Sequence, residues 1–365
     1  MTEAVKSVLH GEHEARGAEF VVYSGWTWVT TFGDVQREYA AIRSGVSMWD
    51  VYGLQKFDVS GPDAPRAIQR VFGNDVLGMA IGQVKYGPFV TETGALIDDG
   101  TVFKLAEDHF WVMANSESTE HYIRDNADGM DVHIEFRTHQ MPDISIQGPG
   151  ARDFIQRLTD TDISGLKHFR FLPERIEVAG IPVWLTRSGF TGDLGYELIP
   201  DPTDAVALWK RLADEGAVPV GVDAVGIARI EAGLVIIGND YEPGVTSPYD
   251  LSMDKIVASE KDLPMLGIEF LRQASVSPAR RFKTLRVSGS ALPSDMTPVW
   301  DGERRVGTLT SPSNSPLAGI IGLAVLETQW SANGTELAIE IDGSRVGVVV
   351  DELSIFDPQR ARQRG

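Results

Sequence analysis

The chain has 365 residues, 42% of them apolar and 23% charged, with a net charge of −19 and no cysteine. That length predicts two or three domains of ordinary globular composition. The acidic balance argues against nucleic acid or an anionic membrane as partner, and the missing cysteine excludes disulfides, thiolate nucleophiles and Cys-ligated metal.

The start, Met1-Thr2-Glu3-Ala4-Val5, has neither the basic flank nor the apolar block of a secretory leader, and no apolar run reaches membrane-spanning length. A cytoplasmic protein is expected. Residues 34–45 predict a helix capped by Asp34, with Val35, Tyr39 and Ile42 on one stripe. Residues 56–59 predict a strand, followed by Gly61-Pro62 and a short helix. Strands are predicted over 83–91 and 97–105, joined by the turn Thr93-Gly94-Ala95, and over 109–114, with a helix over 117–128. Residues 175–178 and 182–186 read as a hairpin about Ala179-Gly180, and 202–215 and 221–233 as helices. Beyond about residue 276 come short β-patterned runs with turns at Ser288-Gly289-Ser290, Asp301-Gly302 and Asp342-Gly343, the pattern of a small barrel or sandwich. Residues 358–365 are polar and expected to fray.

One segment repeats. Aligning Gly61-Pro62 with Gly148-Pro149 also aligns Ala64 with Ala151, and Ile68-Gln69-Arg70 with Ile155-Gln156-Arg157. Each copy is an alternating strand, Gly-Pro and a short helix, with proline expected in the first helical turn, which points to duplicated α+β units. The seven histidines include no H-x-x-x-H pair, so no metal site is expected.

Four clusters carry candidate chemistry. In Gly94–Gly100, Asp98 and Asp99 are strand neighbours pointing to opposite faces, so one can meet a cleft while the other faces solvent or caps a turn. In Thr186–Glu197, three glycines allow close backbone approach, and Glu197 offers two parallel acceptors to a planar ligand with adjacent N–H donors. Arg229 and Glu231, late in an apolar helix, read as a buried pair, either at a pocket wall or as a structural ion pair. Trp111–Ala114 is an apolar strand that ends at the amide of Asn115.

Taken in order, these clusters resemble the glycine-cleavage T-protein (aminomethyltransferase) family, which includes tetrahydrofolate-dependent demethylases. The resemblance runs nearly the whole length. It spans Met48-Trp49-Asp50-Val51, the Gly-Pro units, Gly94–Asp99, Asn115, Ser188–Gly192 with Glu197, Arg229–Gly233, Thr246-Ser247-Pro248, Leu266–Glu269 and Gly307–Ser311 with Ser315–Gly319. It implies an α+β three-domain cloverleaf with tetrahydrofolate in a central channel and a C-terminal β-barrel. The expected domains are 1–52 with 142–245, 53–141 with 246–275, and 276–365. By the resemblance, Asp99 falls on the catalytic aspartate and Glu197 on the pterin-holding glutamate. Tyr86, Asn115, Phe190, Arg229 and Leu54 fall on folate-pocket positions.

The chain departs from the family where the donor should sit. Tyr52-Gly53-Leu54 stands for Ser-His-Met, Ile237 for an aromatic, Phe190 for Tyr, and Asn239-Asp240-Tyr241-Glu242 for an acidic-threonine run. These changes point to a demethylase that moves methyl from a small O-, S- or N-methyl donor, with Tyr52 or Tyr241 assisting a leaving phenolate. Aminomethyl transfer from a lipoyl carrier is the alternative. A flavoprotein partner is compatible with the family. A non-catalytic folate-binding role fits poorly, since its K-G-C-Y-type motif needs the cysteine this chain lacks. The basic run Arg280, Arg281, Lys283 and Arg286 would meet the anionic folate tail or lie on a solvated strand face.

Overall fold

The computed structural model describes residues 4–364; Met1-Thr2-Glu3, where the leader expectation falls, and Gly365 lie outside the described residues. No helix is long and apolar enough to cross a membrane among those residues. The chain builds a seven-stranded sheet, a five-stranded sheet, a closed six-stranded barrel and a two-stranded hairpin, Glu19–Tyr23 with Trp26–Thr31. This is the α+β architecture with the C-terminal barrel expected from the sequence. The barrel runs from Arg280–Val287 to Ser344–Asp351.

The seven-stranded sheet takes strands from two separate stretches, Ser47–Asp50 and the run from Ile144–Gln147 to Val218–Pro219. The five-stranded sheet comes from the intervening run, Gln55–Ser60 through His133–Phe136. Each repeated unit gives its strand to a different one of these sheets. Gly61 and Gly148 adopt matching left-handed backbone, φ 119° and 123°, and each lies three residues before its helix, Ala64–Val71 or Ala151–Gln156. A Cβ at Gly148 would come within 2.5 Å of the Gly45 carbonyl, so glycine is required there. Pro62 and Pro149 lie in the turn ahead of each helix rather than in its first turn; Pro65 takes the early helical position.

Alternation decides which face of the seven-stranded sheet is core. Ile144, Ile146, Leu185, Tyr196 and Leu198 join one hydrophobic cluster with Trp209 and Met48. Each fully buried aliphatic side chain there contributes about 1.5–3 kcal/mol. Their neighbours take the other face, and the register aligns Thr186, Glu197, Ser145 and Trp49 in one row across four strands. This second face is polar at its centre and aromatic at one end.

Two buried ion pairs fasten the Val222–Glu231 helix. Glu231 accepts from Arg43, at 2.8 Å, and from Tyr39 and Ser315. Arg229 pairs with Asp240 at 2.7 Å and donates to Ser311 at 2.9 Å. Arg229 and Glu231, expected as partners, thus face different acids and bases: two helix positions, roughly half a turn, point them apart. The predicted hairpin about Ala179-Gly180 forms between Ile176–Val178 and Ile181–Arg187, with φ 51° and 71° at the two turn residues. Within the expected frayed segment, residues 361–364 are held in place. Residues Ala361–Arg364 form a helical turn, Gln363 is buried, its carbonyl accepts from Arg187, and Arg362 pairs with Asp193.

Candidate functional site

Asp98 and Asp99 divide their work as strand neighbours should. Asp98 is fully buried and saturated. Its Oδ2 accepts from the backbone of Asn115 and Ser116 and from the Thr119 hydroxyl, and its Oδ1 from the Asp99 backbone and the Asn115 amide. It holds the entry to the Ser118–Asp125 helix.

Asp99 faces the other way, toward hydroxyls. Tyr86 donates to its Oδ2 at 2.9 Å, Tyr241 to its Oδ1, and the Asn115 amide to Oδ1 at 3.2 Å. Burial pushes the Asp99 carboxyl up to about 7, and the Asp98 charge pushes the same way; the two phenols pull down. A carboxyl poised near neutrality, oriented by three donors and 7% exposed, is suited to exchanging a proton with a bound molecule. The Tyr241 hydroxyl favours the ionised form, so Tyr241→Phe should raise the Asp99 midpoint by about one pH unit. A carbon-13 carboxyl titration reads this directly; an unmoved midpoint would remove Tyr241 from the group.

Glu197 belongs to a second group. Its Oε2 accepts from the Ser188 hydroxyl, while Oε1 accepts nothing from the chain among the described residues. Burial raises its carboxyl, opposed by Ser188 and by the charge of Lys56. Trp49, in the same sheet row, stacks on Phe190 at 6.5 Å and lies near Trp28 at 6.4 Å, and Leu54 packs against the same cluster. The glycines before Glu197 serve a neighbour: a Cβ at Gly189 or Gly195 would sit 2.2 Å from the Gln147 amide, which bonds Ser145, the Ser188 carbonyl and Thr191. The close approach expected of this glycine-rich run is made by a side chain of the same sheet.

The structure therefore places the predicted residues as follows. Asp99, Tyr86, Asn115 and Tyr241 come together; Glu197, Phe190 and Leu54 share the polar and aromatic face of the seven-stranded sheet. Arg229 touches neither group and acts through Asp240, next to Tyr241 in the chain. Tyr52 lies apart from Asp99: its hydroxyl meets His139 Nδ1 at 2.8 Å, its ring packs edge-on to Trp26, and burial with the Asp50 charge pushes it up to about 12. The Tyr52 phenol is thus engaged outside the Asp99 group. Three of the four basic residues of the tail run are occupied, Arg281 on Asp254, Arg286 on Asp351 and Lys283 on Asn333. Neither of two cavities is lined by Asp99 or Glu197. One, of about 10 Å³, is lined by His13, Trp28, Asp50, Tyr52 and Trp209 and has room for about one water. The other is an open groove of about 460 Å³ beside Gly94, Val245 and Phe270.

Sequence reasoning missed Lys56 and Asp143. Both are completely buried, and both reach Glu197 electrostatically. The alternation of Asp143, Ser145 and Gln147 with Ile144 and Ile146 was a usable signal for the face of Asp143.

Comparison with known proteins covers nearly the whole chain. The family model described as the GCVT N-terminal domain matches residues 9–261, and that of the glycine cleavage T-protein C-terminal barrel domain matches 280–357. An aminomethyltransferase from Lysinibacillus sphaericus is 31% identical over 363 residues, covering 97% of this chain and 98% of that protein. One from Listeria welshimeri is 29% identical, covering 98% and 99%. The crystal structure of glycine cleavage system aminomethyltransferase T from Bartonella henselae superposes with a TM-score of 0.89 at 24% identity, covering 98% of this chain and 99% of that one, and shares the fold.

Proposed function

The chain belongs to the glycine cleavage T-protein family, and from that premise we propose that it is an enzyme transferring a one-carbon group to tetrahydrofolate. The observation that carries this reading is Asp99, a buried carboxyl tuned to about 7 and oriented by Tyr86, Tyr241 and Asn115. The residues fit the cofactor: Glu197 keeps one carboxylate oxygen free on a polar face, and two strands along the same row Trp49 stacks on Phe190.

Tetrahydrofolate, when bound, supplies the nitrogen nucleophile that takes up the carbon. Glu197 would hold the paired N–H donors of its ring by charge-assisted hydrogen bonds, with Phe190 and Leu54 excluding water from that face. Asp99 would accept the proton that leaves the nitrogen as the new bond to carbon forms. Tyr86, Tyr241 and Asn115 keep the carboxylate aimed, so an oriented step replaces a bimolecular encounter. Glu197→Ala should weaken tetrahydrofolate binding by about 1.5–3 kcal/mol, roughly ten- to a hundredfold, in a calorimetric titration. Unchanged affinity would remove the clamp.

The transferred group is aminomethyl on this reading, in keeping with the names of the relatives. Methyl transfer from a small donor is the second reading, favoured by Tyr241, which stands where the family's acidic-threonine run is expected and bonds Asp99. Product analysis separates them. Formation of 5,10-methylene-tetrahydrofolate from a loaded lipoyl carrier supports the first. Formation of 5-methyl-tetrahydrofolate from methoxyaromatics, sulfonium compounds or methylamines supports the second. Absence of both products would overturn one-carbon transfer.

A further inference from the structure

Lys56 projects from the five-stranded sheet on the face opposite Phe57 and Val59, which belong to that sheet's own core. It is 0% exposed. Its Nζ donates to the carbonyls of Leu54 at 3.1 Å and Val51 at 3.3 Å, and it forms no ion pair within 4.0 Å among the described residues. Asp143 comes from the other sheet. Its carbonyl accepts from Val51 N at 2.9 Å and continues the ladder, so alternation with Ile144 sends its side chain to the face of Ser145, the register partner of Glu197. Asp143 is also 0% exposed, and neither carboxyl oxygen accepts a hydrogen bond.

A carboxyl buried without donors is costly, and native chains keep one where something else completes it. Lys56 does not complete it: its Nζ bonds two carbonyls and makes no hydrogen bond or ion pair with Asp143, acting on it only as a nearby charge. Burial and the Glu197 charge push Asp143 up, while Lys56 opposes; Asp50, itself bonded to His13, is the other charge facing the cluster. The group that fits is a ligand edge rich in N–H donors.

We infer that Asp143 is a second acceptor of the folate-ring subsite, taking N–H donors alongside Glu197, with Lys56 as the counter-charge to both carboxylates. The inference rests on the folate reading given above. A reduced pterin edge carries ring N–H groups and an amino group; Glu197, one oxygen of which already takes the Ser188 hydroxyl, would take the paired donors and Asp143 a further one.

The test compares wild type, Asp143→Asn, Asp143→Leu and Glu197→Ala by two measurements: calorimetric affinity for tetrahydrofolate, and thermal unfolding without ligand. Both Asp143 variants should bind about ten- to a hundredfold more weakly. Their unliganded unfolding midpoints should stay close to wild type, because the acid accepts no hydrogen bond and Lys56 keeps two carbonyls and the Glu197 charge. Unchanged affinity in these variants would overturn the inference. So would a lowered midpoint or failure to fold, which marks a structural acid. If wild type itself binds no tetrahydrofolate, the folate reading fails first. If wild type binds, Glu197→Ala loses binding and the Asp143 variants keep it, only the inference fails.

Discussion

Asp99→Asn is expected to lower turnover by about a hundred- to ten-thousandfold while changing tetrahydrofolate affinity little. Asparagine keeps the shape of the side chain and a hydrogen bond to at least one of Tyr86 and Tyr241, so the pocket should persist. It cannot accept a proton. The wild-type pH profile should show the same group. Burial first, then the Asp98 charge, raises the Asp99 carboxyl from its ordinary 3.8 to about 7. The base form therefore dominates above about pH 7, and kcat should fall as pH drops below it. The asparagine variant should lack that limb. Stability carries the opposite slope. A raised carboxyl contributes stability to the unliganded fold that is fully present below about pH 3.8 and is lost as pH rises through about 7. Asp99→Asn should flatten that part of the unfolding curve. Wild-type turnover in the variant would end the assignment of Asp99 as base.

Glu231→Ala should have the largest effect on the fold, about 3–5 kcal/mol by urea unfolding. Glu231 is fully buried and accepts from Arg43 Nε at 2.9 Å and Nη2 at 2.8 Å, from Tyr39 at 2.7 Å and from Ser315. These donors come from the Val35–Ser44 helix and from the barrel. Truncation leaves Arg43 with two carbonyl acceptors, Thr191 and Ala228, and the face of Phe356, but with its charge unpaired by Glu231. Glu231→Gln, which keeps the shape and some of the acceptors, should lose less. A loss below about 1 kcal/mol in the alanine variant would class the pair with exposed ones.

Much of this was legible in the sequence where a local pattern sets the outcome. The alternation of Gly195–Pro200 puts Tyr196 and Leu198 inside and Glu197 on the far face without any tertiary knowledge. Asp34 caps its helix through the Arg37 amide, as its type and position predict. The hairpin of residues 19–31 also had a signal, Ser24-Gly25 between two β-rich runs, and both residues take positive φ. Other features depend on what covers a face. Lys56 alternates in its strand like any solvated lysine; only the packing of one sheet against the other buries it. Arg229 and Glu231 lie two positions apart, so their true partners come from a loop, another helix and the barrel. The division of Asp98 from Asp99 was readable as opposite faces, but not which carboxylate would be saturated, because Thr119 and the Asn115 amide arrive from the next helix turn and strand end.

Asp240 is gripped from two sides, by Arg229 of the helix and by the Thr310 and Ser311 hydroxyls of the barrel. The next residue is Tyr241, whose phenol sits on Asp99. The C-terminal module is thus a remote brace for a carboxyl it makes no hydrogen bond to. Removing the Thr310 and Ser311 hydroxyls would therefore disturb Asp99 from the barrel side without altering any residue that touches its carboxyl.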